Sequence, residues 1–369
     1  MRQVGARGPA VRPREEIDRL RPYRIGSPAP AAGAVQIPPV KLNQNESPLD
    51  WPPELKAEVM RRLAGRPWNR YPPVDADALR EALAGSHGIG PDQVAVTNGS
   101  NEAILALVQT FAGGRSVLLT APGYSMSAPL AVIGGAAVKP VSLQPDFSLD
   151  VAVMVEAARA GDVGMVFIAS PNNPTGNAFA RPELEAILDA ARGVVVIDEA
   201  YAGFASDSFL PDLSRYTHLA VLRTFSKAFA LAGARVGWIA APAAVIAAVR
   251  KALPPYNLNV FAQEAALAAL ARPELVAKRV QMIRRERERV LEMLRRTDGV
   301  TAYRSDANFI LFRTELPAAV LFLRLLQRGA LVRDVSHQPM LERCLRVTIG
   351  MPDENDRFLG ALRASMEAS

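Results

Sequence analysis

Lys227 is the residue of this sequence whose type and surroundings most directly suggest covalent chemistry. Only six of the 43 basic residues are lysines, so a lysine set among hydroxyls and glycines indicates a need for an amine rather than for a charge. A lysine in a partly apolar pocket has a lowered pKa and can form a Schiff base with a carbonyl group. The neighbouring Thr224 and Ser226, with Arg235 further along the chain, would hold a phosphate beside that amine. Taken alone, the same pattern also fits an ordinary surface lysine.

A second segment places a carboxylate at the end of an apolar run. Residues 194–198 end in Asp198, and a buried carboxylate is costly unless a cationic or protic group meets it. Asp198 facing a pyridinium nitrogen would keep that nitrogen protonated, and Tyr201 could hydrogen-bond a phenolate oxygen. The alternative is an acid that binds magnesium beside a nucleotide. We disfavour it because the chain has no Gly-x-x-x-x-Gly-Lys-Ser/Thr loop.

Three further turns follow apolar runs and carry polar or aromatic side chains. Asn173, in the turn 170–176, would present an amide, and Tyr124 is placed to stack on a flat ring. The turn 97–102 leads into a helix, whose free N–H groups and dipole make a seat for an anion. Each turn also fits a purely structural interpretation, as a plain turn, an N-cap or packing under a loop. Because open α/β sheets place ligands at the carboxyl ends of their strands, we expect these segments to meet at one site.

The elements that must position these residues are short apolar strands alternating with helices. This alternation is typical of a parallel sheet buried on both faces. Strands are predicted over 93–97, 116–120, 163–169, 194–198, 219–223 and 236–240, with helices over 101–111 and 181–191 between them.

The character of the chain changes after residue 255. A long charged helix is predicted over 273–296, and two short strands, 309–313 and 345–349, flank a Leu-rich helix over 316–328. We therefore expect an α/β fold with a large domain, built on a mostly parallel central sheet flanked by helices, and a smaller α+β domain. The predicted boundaries are an N-terminal arm over 1–40, a large cofactor-binding domain over 41–249 and a small C-terminal domain over 250–369. The arm is rich in Arg and then in Pro, which suits an extended or flexible segment.

Composition excludes several classes of protein. The chain has 369 residues, 49% of them hydrophobic, which rules out disorder as its main state. No apolar run reaches the roughly 20 residues that a membrane helix needs, so we expect no membrane partner. Cys344 is the only cysteine, which excludes an intrachain disulfide and favours a reducing, cytoplasmic location.

Charge and histidine placement narrow the class of ligand. The net charge of +6 is spread along helices rather than along a strip with interleaved aromatics. It therefore favours a phosphorylated small molecule over a nucleic acid. His87, His218 and His337 are scattered, so we expect no metal site and no hydrolytic triad.

Taken together, these segments resemble the fold-type I, class I and II aminotransferases, which use pyridoxal 5′-phosphate. The resemblance is carried by residues 224–228, 198–201, 172–176 and Arg235, whose order and spacing match the family over 40–350. Within this family the chain is most similar to the histidinol-phosphate aminotransferases. The segments that support this narrower resemblance are 20–23, 42–48, 70–72, 307–311, 332–334, 338–339 and 345–350.

The resemblance implies a role for each matching residue. Lys227 would carry the cofactor and shuttle a proton, and Asp198 would pair with the pyridine nitrogen. Asn173 and Tyr201 would bond the phenolate oxygen, and Tyr124 would stack on the ring. The remaining cofactor contacts would come from Thr224, Ser226, Arg235, Gly99, Ser100 and Asn101, with Tyr71 supplied by the neighbouring subunit. The substrate would be bound by Arg346, Arg333, Tyr23 and Asn173.

The implied activity is transamination between histidinol phosphate and 2-oxoglutarate in histidine biosynthesis. It would be carried out by a homodimer with shared active sites, acting on a phosphorylated amine and a 2-oxo acid. Two alternatives share the fold: an aromatic amino-acid aminotransferase and an O-phosphothreonine decarboxylase. A regulatory binding domain of aminotransferase descent would need a fused helix-turn-helix, which the Pro-rich first 40 residues do not suit. Asn101 stands where many relatives have Asp, a difference of no consequence if this turn contributes only backbone N–H groups.

Overall fold

The protein is described here by a computed structural model that covers residues 12–23 and 39–367. The strands are β1 (Val40–Lys41), β2 (Val94–Thr97), β3 (Ser116–Ala121), β4 (Ala137–Ser142), β5 (Val163–Ala169), β6 (Val194–Asp198), β7 (Leu219–Thr224), β8 (Gly237–Ala240), β9 (Val300–Ala302), β10 (Phe309–Thr314), β11 (Ala330–Leu331), β12 (Arg333–Asp334) and β13 (Cys344–Thr348). The α-helices are α1 (Glu15–Asp18), α2 (Pro53–Ala64), α3 (Asp77–His87), α4 (Ser100–Phe111), α5 (Ser127–Ile133), α6 (Val151–Ala158), α7 (Arg181–Ala190), α8 (Ala243–Ala252), α9 (Val260–Leu270), α10 (Pro273–Arg295), α11 (Ala318–Gln327) and α12 (Pro352–Glu367). Short 3₁₀ helices cover Pro91–Gln93, Ala202–Phe204, Leu210–Ser214 and Ala232–Ala234.

Seven strands form the central sheet, in the order β2-β8-β7-β6-β5-β3-β4. The strands from β3 to β7 run parallel to one another, whereas β8 is antiparallel to both β2 and β7. Every residue of β5 and of β6 is buried, as expected for strands covered by helices on both faces. The predicted α/β fold with a mostly parallel central sheet is therefore confirmed.

Alternate side chains of the central strands pack into two separate cores. On one face Val166, Ile168 and Ile197 pack with α3, α6, α7 and α9. On the other face Phe167 and Val196 pack with α4, α5 and α8. Because successive side chains along a strand point to opposite faces, both faces are filled with apolar groups. Only the ends of the strands are left to carry functional side chains.

The predicted strands of the central sheet are all present, with ends that differ from the prediction by one residue at most. The sequence analysis missed β4, which pairs only with β3 and lies at the edge of the sheet. Lys139 and Pro140 interrupt its apolar pattern. An edge strand tolerates both residues, since one side of it makes no ladder hydrogen bonds.

A second sheet, antiparallel and four-stranded, has the order β12-β13-β10-β9. It packs with α10, α11 and α12 around Phe309, Phe312 and Phe358. The chain enters beside this sheet, because β1 pairs in parallel with β11 through Val40 and Ala330. The segment that follows β1 is thereby held between the two sheets before the chain reaches α2.

The predicted domain boundaries stay a prediction. Helix α9 lies C-terminal to the proposed division at residue 250, yet it packs against α2 and α3. A division after α9 would follow the packing more closely, and we propose it in place of the boundary at 250. Of the predicted N-terminal arm, residues 12–23 include the short helix α1, which the prediction of an extended or flexible segment missed, while residues 1–11 and 24–38 lie outside the described residues.

Candidate active site

A cavity of about 310 Å³ opens at the carboxyl ends of β5, β6 and β7, between the two sheets. This is the edge at which open α/β sheets bind ligands. The cavity brings together most of the residues predicted from the sequence: Tyr23, Ser100, Asn101, Tyr124, Asn173, Asp198, Tyr201, Thr224, Ser226, Lys227, Arg235, Arg333 and Arg346. A larger groove of about 890 Å³ lies between α3 and α10, but Thr224 is the only one of these residues that lines it. The smaller cavity is therefore the candidate site.

Lys227 lies just beyond the end of β7, in the loop that follows Thr224. Its Nζ donates a hydrogen bond to the carbonyl oxygen of Gln44 at 3.0 Å and lies 5.8 Å from the centre of the Tyr201 ring. Burial lowers the pKa of the Lys227 amine to about 7, and the nearby Arg346 guanidinium adds to the effect. A substantial fraction of the amine is therefore neutral at neutral pH, which a nucleophile or proton carrier requires.

Asp198 ends β6 and is buried against the floor of the cavity. One of its oxygens accepts a hydrogen bond from the backbone N–H of Ala200 at 3.0 Å. Burial raises the pKa of the Asp198 carboxyl to about 7, and the adjacent Glu199 carboxylate raises it further, against the opposing effects of that hydrogen bond and of Lys227. A cationic nitrogen placed against this group would favour its ionised form.

Asn173 and Arg346 connect the turn after β5 to the small sheet. Arg346 donates from Nη1 to Asn173 Oδ1 at 2.6 Å and from Nη2 to the carbonyl oxygen of Asn43 at 2.8 Å. The amide nitrogen of Asn173 lies 3.5 Å from the hydroxyl of Tyr201. Burial lowers the pKa of the Arg346 guanidinium to about 10, so this group stays cationic at neutral pH.

The start of α4 forms a tight cradle with Arg235 and the β7 loop. Gly99 has a φ of +77°, and a Cβ at this position would lie 2.3 Å from the Arg235 guanidinium. A Cβ on Gly237 would lie 2.6 Å from the backbone of Gly99. Ser226 Oγ accepts hydrogen bonds from Thr224 Oγ1 at 3.0 Å and from Arg235 Nη1 at 3.3 Å. Hydroxyls, a guanidinium and a helix N-terminus without intervening side chains suit a bound phosphate.

Asn101 contributes its side chain to the site, and not only its backbone as the sequence analysis supposed. The Tyr124 hydroxyl donates to Asn101 Oδ1 at 2.8 Å, which fixes the position of the aromatic ring over the cavity. Burial raises the pKa of the Tyr124 phenol, so it keeps this proton. Since an Asp oxygen could accept the same hydrogen bond, the Asn in this chain preserves the contact.

Arg333 and Arg346 lie directly opposite each other on the paired strands β12 and β13. The Arg333 guanidinium carbon is 5.7 Å from the centre of the Tyr23 ring, within the range of a cation–π contact. All three side chains line the cavity, and the two arginines reach it from the small sheet. Two planar guanidinium groups on one wall suit an anionic ligand.

Tyr71 does not line the cavity of its own chain. Its ring stacks on that of Tyr256 at a centroid distance of 4.6 Å and an angle of 17°, and 81% of its surface is exposed. Its assignment to the active site of a neighbouring subunit stays a prediction.

Several cavity residues carried no role in the sequence analysis. They are Asn43, Gln44, Asn45, Glu46, Ser125, His337 and Gln338. The first four belong to the segment 42–48, whose resemblance to the family was visible but whose chemistry was not. They reach the cavity because β1 pairs with β11, and a strand of two residues leaves no pattern in the sequence.

The described residues contain no group of three or more His, Cys, Asp and Glu side chains able to hold a metal ion. In that same part of the chain, no helix is both long enough and apolar enough to cross a membrane. Cys344 is a free thiol buried on β13.

Comparisons with known proteins identify the family of this chain. Residues 37–362 match the family described as aminotransferase class I and II. The histidinol-phosphate aminotransferase of Pyrococcus furiosus is 40% identical over 353 residues, which cover 96% of this chain and 98% of that protein. The enzyme of the same name from Chlorobaculum tepidum is 39% identical, over 88% of this chain and 93% of that protein.

Solved structures share the fold. The histidinol-phosphate aminotransferase of Clostridium acetobutylicum superposes with a TM-score of 0.83 at 24% identity, over 89% of this chain and 100% of that one. The enzyme from Sinorhizobium meliloti, in complex with pyridoxal 5′-phosphate, gives the same score and identity over 97% and 98% of the two chains. By its family match and by its similarity to full-length relatives, this chain belongs to the class I and II aminotransferases.

Proposed function

We propose that this aminotransferase transfers an amino group between glutamate and the keto form of histidinol phosphate, as a step of histidine biosynthesis. The observation that carries the proposal is the pair Arg333 and Arg346, opposite each other on one wall of the cavity that contains Lys227. A phosphate monoester carries nearly two negative charges at neutral pH, which two arginines balance. The names of the full-length relatives support the same substrate.

The residues of the cavity fit pyridoxal 5′-phosphate as the cofactor. The cradle of Gly99, Arg235 and Ser226 would take its phosphate, because the glycine at position 99 lets the Arg235 guanidinium approach the start of α4. Asp198 would face the ring nitrogen, whose positive charge offsets the cost of ionising this buried carboxyl. Tyr201 and Asn173 would meet the phenolate oxygen. When bound, this cofactor supplies an electron sink for the negative charge that develops at the substrate's Cα.

Lys227 would both hold the cofactor and move the proton at the substrate's Cα. Its lowered pKa provides a neutral amine at neutral pH, which can accept and return a proton. Asp198 would keep the ring nitrogen protonated throughout, and Tyr124 would hold the ring face, fixed by its hydrogen bond to Asn101. Each of these residue roles is part of the proposal.

The substrate would lie against the wall formed by the small sheet. Arg346, held by Asn173 and by the carbonyl oxygen of Asn43, is placed to bind the anionic group attached to Cα. Arg333 and Tyr23 would bind the more distant oxygens of a phosphate. Glutamate, which must use the same wall, has carboxylates on Cα and on its side chain, and we propose that Arg346 binds the one on Cα.

We also propose a cytoplasmic homodimer with shared active sites. Large apolar side chains stay exposed on α2, on the loop 65–76 and on α9: Met60, Trp68, Tyr71, Val74 and Phe261, with Trp68 73% and Tyr71 81% accessible. Exposed apolar side chains of this size on a metabolic enzyme favour contact with a second subunit. A single, buried cysteine suits the reducing cytoplasm.

A screen of half-reactions tests the proposed substrate. The purified enzyme with its cofactor would be mixed separately with L-histidinol phosphate, L-glutamate, L-phenylalanine and O-phospho-L-threonine while the absorbance of the bound cofactor is followed. We expect fast conversion with the first two compounds only. Fast conversion with phenylalanine and none with histidinol phosphate would identify an aromatic aminotransferase, and release of carbon dioxide from phosphothreonine would identify a decarboxylase.

A further inference from the structure

Asn45 makes a set of contacts that joins three distant parts of the chain at the cavity. It is buried, with 1% of its surface exposed, and its Nδ2 lies 2.8 Å from the hydroxyl of Tyr201. Its backbone N–H donates to Thr348 Oγ1 at 2.9 Å, and the same hydroxyl lies 3.2 Å from Asn45 Oδ1. Asn308 donates from its side chain to the Asn45 carbonyl oxygen at 3.1 Å. The residue is thus held at a φ of 54°, a conformation that Asn tolerates.

The hydroxyl of Thr348 determines the positions of the oxygen and the nitrogen in the Asn45 side-chain amide. Thr348 Oγ1 accepts the Asn45 backbone N–H, so its own hydrogen is available to donate. The acceptor within reach is one end of the Asn45 amide, which must therefore be the oxygen. The nitrogen end is left to face Tyr201, and it can only donate.

Tyr201 consequently meets donors from two sides. Asn45 donates to the phenol oxygen at 2.8 Å. Asn173 also presents its nitrogen, at 3.5 Å, because Arg346 occupies its oxygen. Burial raises the pKa of the Tyr201 phenol, so the group keeps its hydrogen. With amide donors on both sides, that hydrogen has to be donated into the cavity.

We infer that Asn45 is a positioning residue that makes Tyr201 a hydrogen-bond donor toward the phenolate oxygen of the cofactor. The inference rests on the proposed function, because it needs pyridoxal 5′-phosphate in this cavity. A donor at that oxygen would disperse its negative charge and so lower its affinity for a proton on the neighbouring Lys227 nitrogen. Asn45 therefore helps to set the pH at which the bound cofactor changes its protonation and its absorbance.

The central test is Asn45→Asp, which keeps nearly the same shape but leaves only acceptor atoms on the side chain. Tyr201 would then donate to the new carboxylate instead of into the cavity. We expect the midpoint of the absorbance titration of the bound cofactor to rise by about one to two pH units, the size of one lost charge-assisted hydrogen bond. Tyr201→Phe should give a rise of similar size, because it removes the same hydrogen.

The double variant N45D/Y201F separates this effect from the added negative charge. If Asn45 acts through Tyr201, the double variant titrates close to Tyr201→Phe alone, since the second change has no hydrogen left to redirect. If the added carboxylate acts directly through space, the two shifts add in full, and the inference is overturned.

Thr348 offers a matched pair of variants that introduce no charge. Thr348→Val removes the hydroxyl that orients the amide and should raise the midpoint in the same direction by a smaller amount. Thr348→Ser keeps the hydroxyl and should titrate like the unmodified enzyme. Equal midpoints for Thr348→Val and Thr348→Ser would contradict the inference. Cofactor binding is measured separately, by the quenching of tryptophan fluorescence, and binding by the unmodified protein would leave the proposed function standing. Failure of the unmodified protein to bind the cofactor would instead refute the proposed function.

Discussion

The two walls of the active-site cavity are built in different ways. The cofactor wall consists of Asp198, Tyr201 and Lys227, which lie at the end of the parallel strand β6 and in the loops just after β6 and its neighbour β7. The substrate wall consists of Arg333, Arg346 and Tyr23, which come from two short strands of the small sheet and from the N-terminal segment. Residues that must keep a fixed geometry are therefore attached to the buried central sheet. Residues that select the substrate are attached to a smaller unit, which can vary without disturbing that sheet.

The walls also differ in how burial acts on their charges. On the cofactor wall, burial brings the pKa values of both Lys227 and Asp198 to about 7. A neutral Lys227 amine can accept and return a proton at neutral pH, and a cationic ring nitrogen against Asp198 would favour its carboxylate form. On the substrate wall, Arg346 keeps its charge even with its pKa lowered to about 10. One wall is thus suited to proton transfer and the other to holding an anion.

Lys227→Ala should give the largest effect, because it removes both the attachment of the cofactor and the proton carrier. Proton transfer alone accounts for roughly 10² to 10⁴ in rate, so we expect turnover to fall by at least about four orders of magnitude. Steady-state assays with histidinol phosphate and 2-oxoglutarate measure the loss.

Two controls accompany this variant. Lys251→Ala, on the exposed side of α8, should keep full activity, and Lys227→Arg should be as inactive as Lys227→Ala although it keeps the positive charge. Borohydride reduction of the unmodified enzyme, followed by peptide mapping, should place the cofactor on Lys227. A label on any other lysine would show that the cofactor wall is wrongly assigned.

Asp198→Asn should leave the fold intact and slow the chemical step. A neutral amide cannot keep the ring nitrogen of the cofactor protonated, and loss of one preorganised charge typically costs about 10² to 10³ in rate. Single-turnover measurements of the glutamate half-reaction isolate this step from substrate binding. Near-normal rates would remove Asp198 from the cofactor wall.

Arg333→Ala tests the substrate wall and should discriminate between substrates. We expect kcat/KM for histidinol phosphate to fall about 30-fold, equivalent to about 2 kcal/mol for the loss of one charge-paired contact. The value for glutamate should change less, because glutamate has no doubly charged phosphate and we expect its Cα carboxylate to bind Arg346. Arg328→Ala, an exposed arginine of the same domain, serves as the control. Equal losses of kcat/KM for both substrates would mean that Arg333 does not bind the phosphate selectively.

Tyr71 allows the proposed sharing of active sites between two subunits to be tested. Lys227→Ala chains and Tyr71→Ala chains, each of low activity alone, would be unfolded together, refolded and assayed. In a hybrid dimer one site combines an intact Lys227 with an intact Tyr71, so random mixing should restore up to about a quarter of full activity. No recovery, or a fully active monomer by sedimentation, would contradict the shared site.

The cofactor wall could be predicted from the sequence because its residues form short continuous segments. β5 and β6 begin and end where the apolar runs predicted, and the residues after β6 and β7 carry the functional groups. The substrate wall was harder, since β11 and β12 have two residues each and leave no periodic pattern. Its arginines were identified through the family resemblance, and their pairing across β12 and β13 became visible only in the fold.

Asn45 marks the limit of sequence reasoning at this site. Its partner Thr348 is 303 positions away, and the contact depends on the pairing of β1 with β11 beside the small sheet. Asn and Thr are both common residues, and a hydrogen bond between an amide and a hydroxyl requires no particular spacing of the two residues in the sequence. Contacts of this kind follow from tertiary packing, which local patterns do not encode.

A further expected effect concerns stability rather than catalysis, and it follows from the burial that raises the pKa of Asp198. In the cofactor-free protein the pKa of Asp198 is about 7, above its ordinary value of 3.8. Between these two pH values the folded state binds more protons than the unfolded state, so this group lowers stability progressively as pH rises from about 4 to 7. Lys227 acts in the opposite sense above pH 7, because its pKa lies below the ordinary value of 10.5.

Asp198→Asn should therefore stabilise the cofactor-free protein at pH 8 and change it little at pH 4. The difference at pH 8 is about 4 kcal/mol at most, which corresponds to a rise of several degrees in Tm. Thermal melts of both proteins without cofactor, at a series of pH values, measure it. Asp162→Asn is the control, because Asp162 is exposed and the hydrogen bond from Lys139 holds its pKa below the usual range. That variant should lose a little stability at pH 8, and a rise there equal to that of Asp198→Asn would mean that burial at the cofactor wall is not the cause.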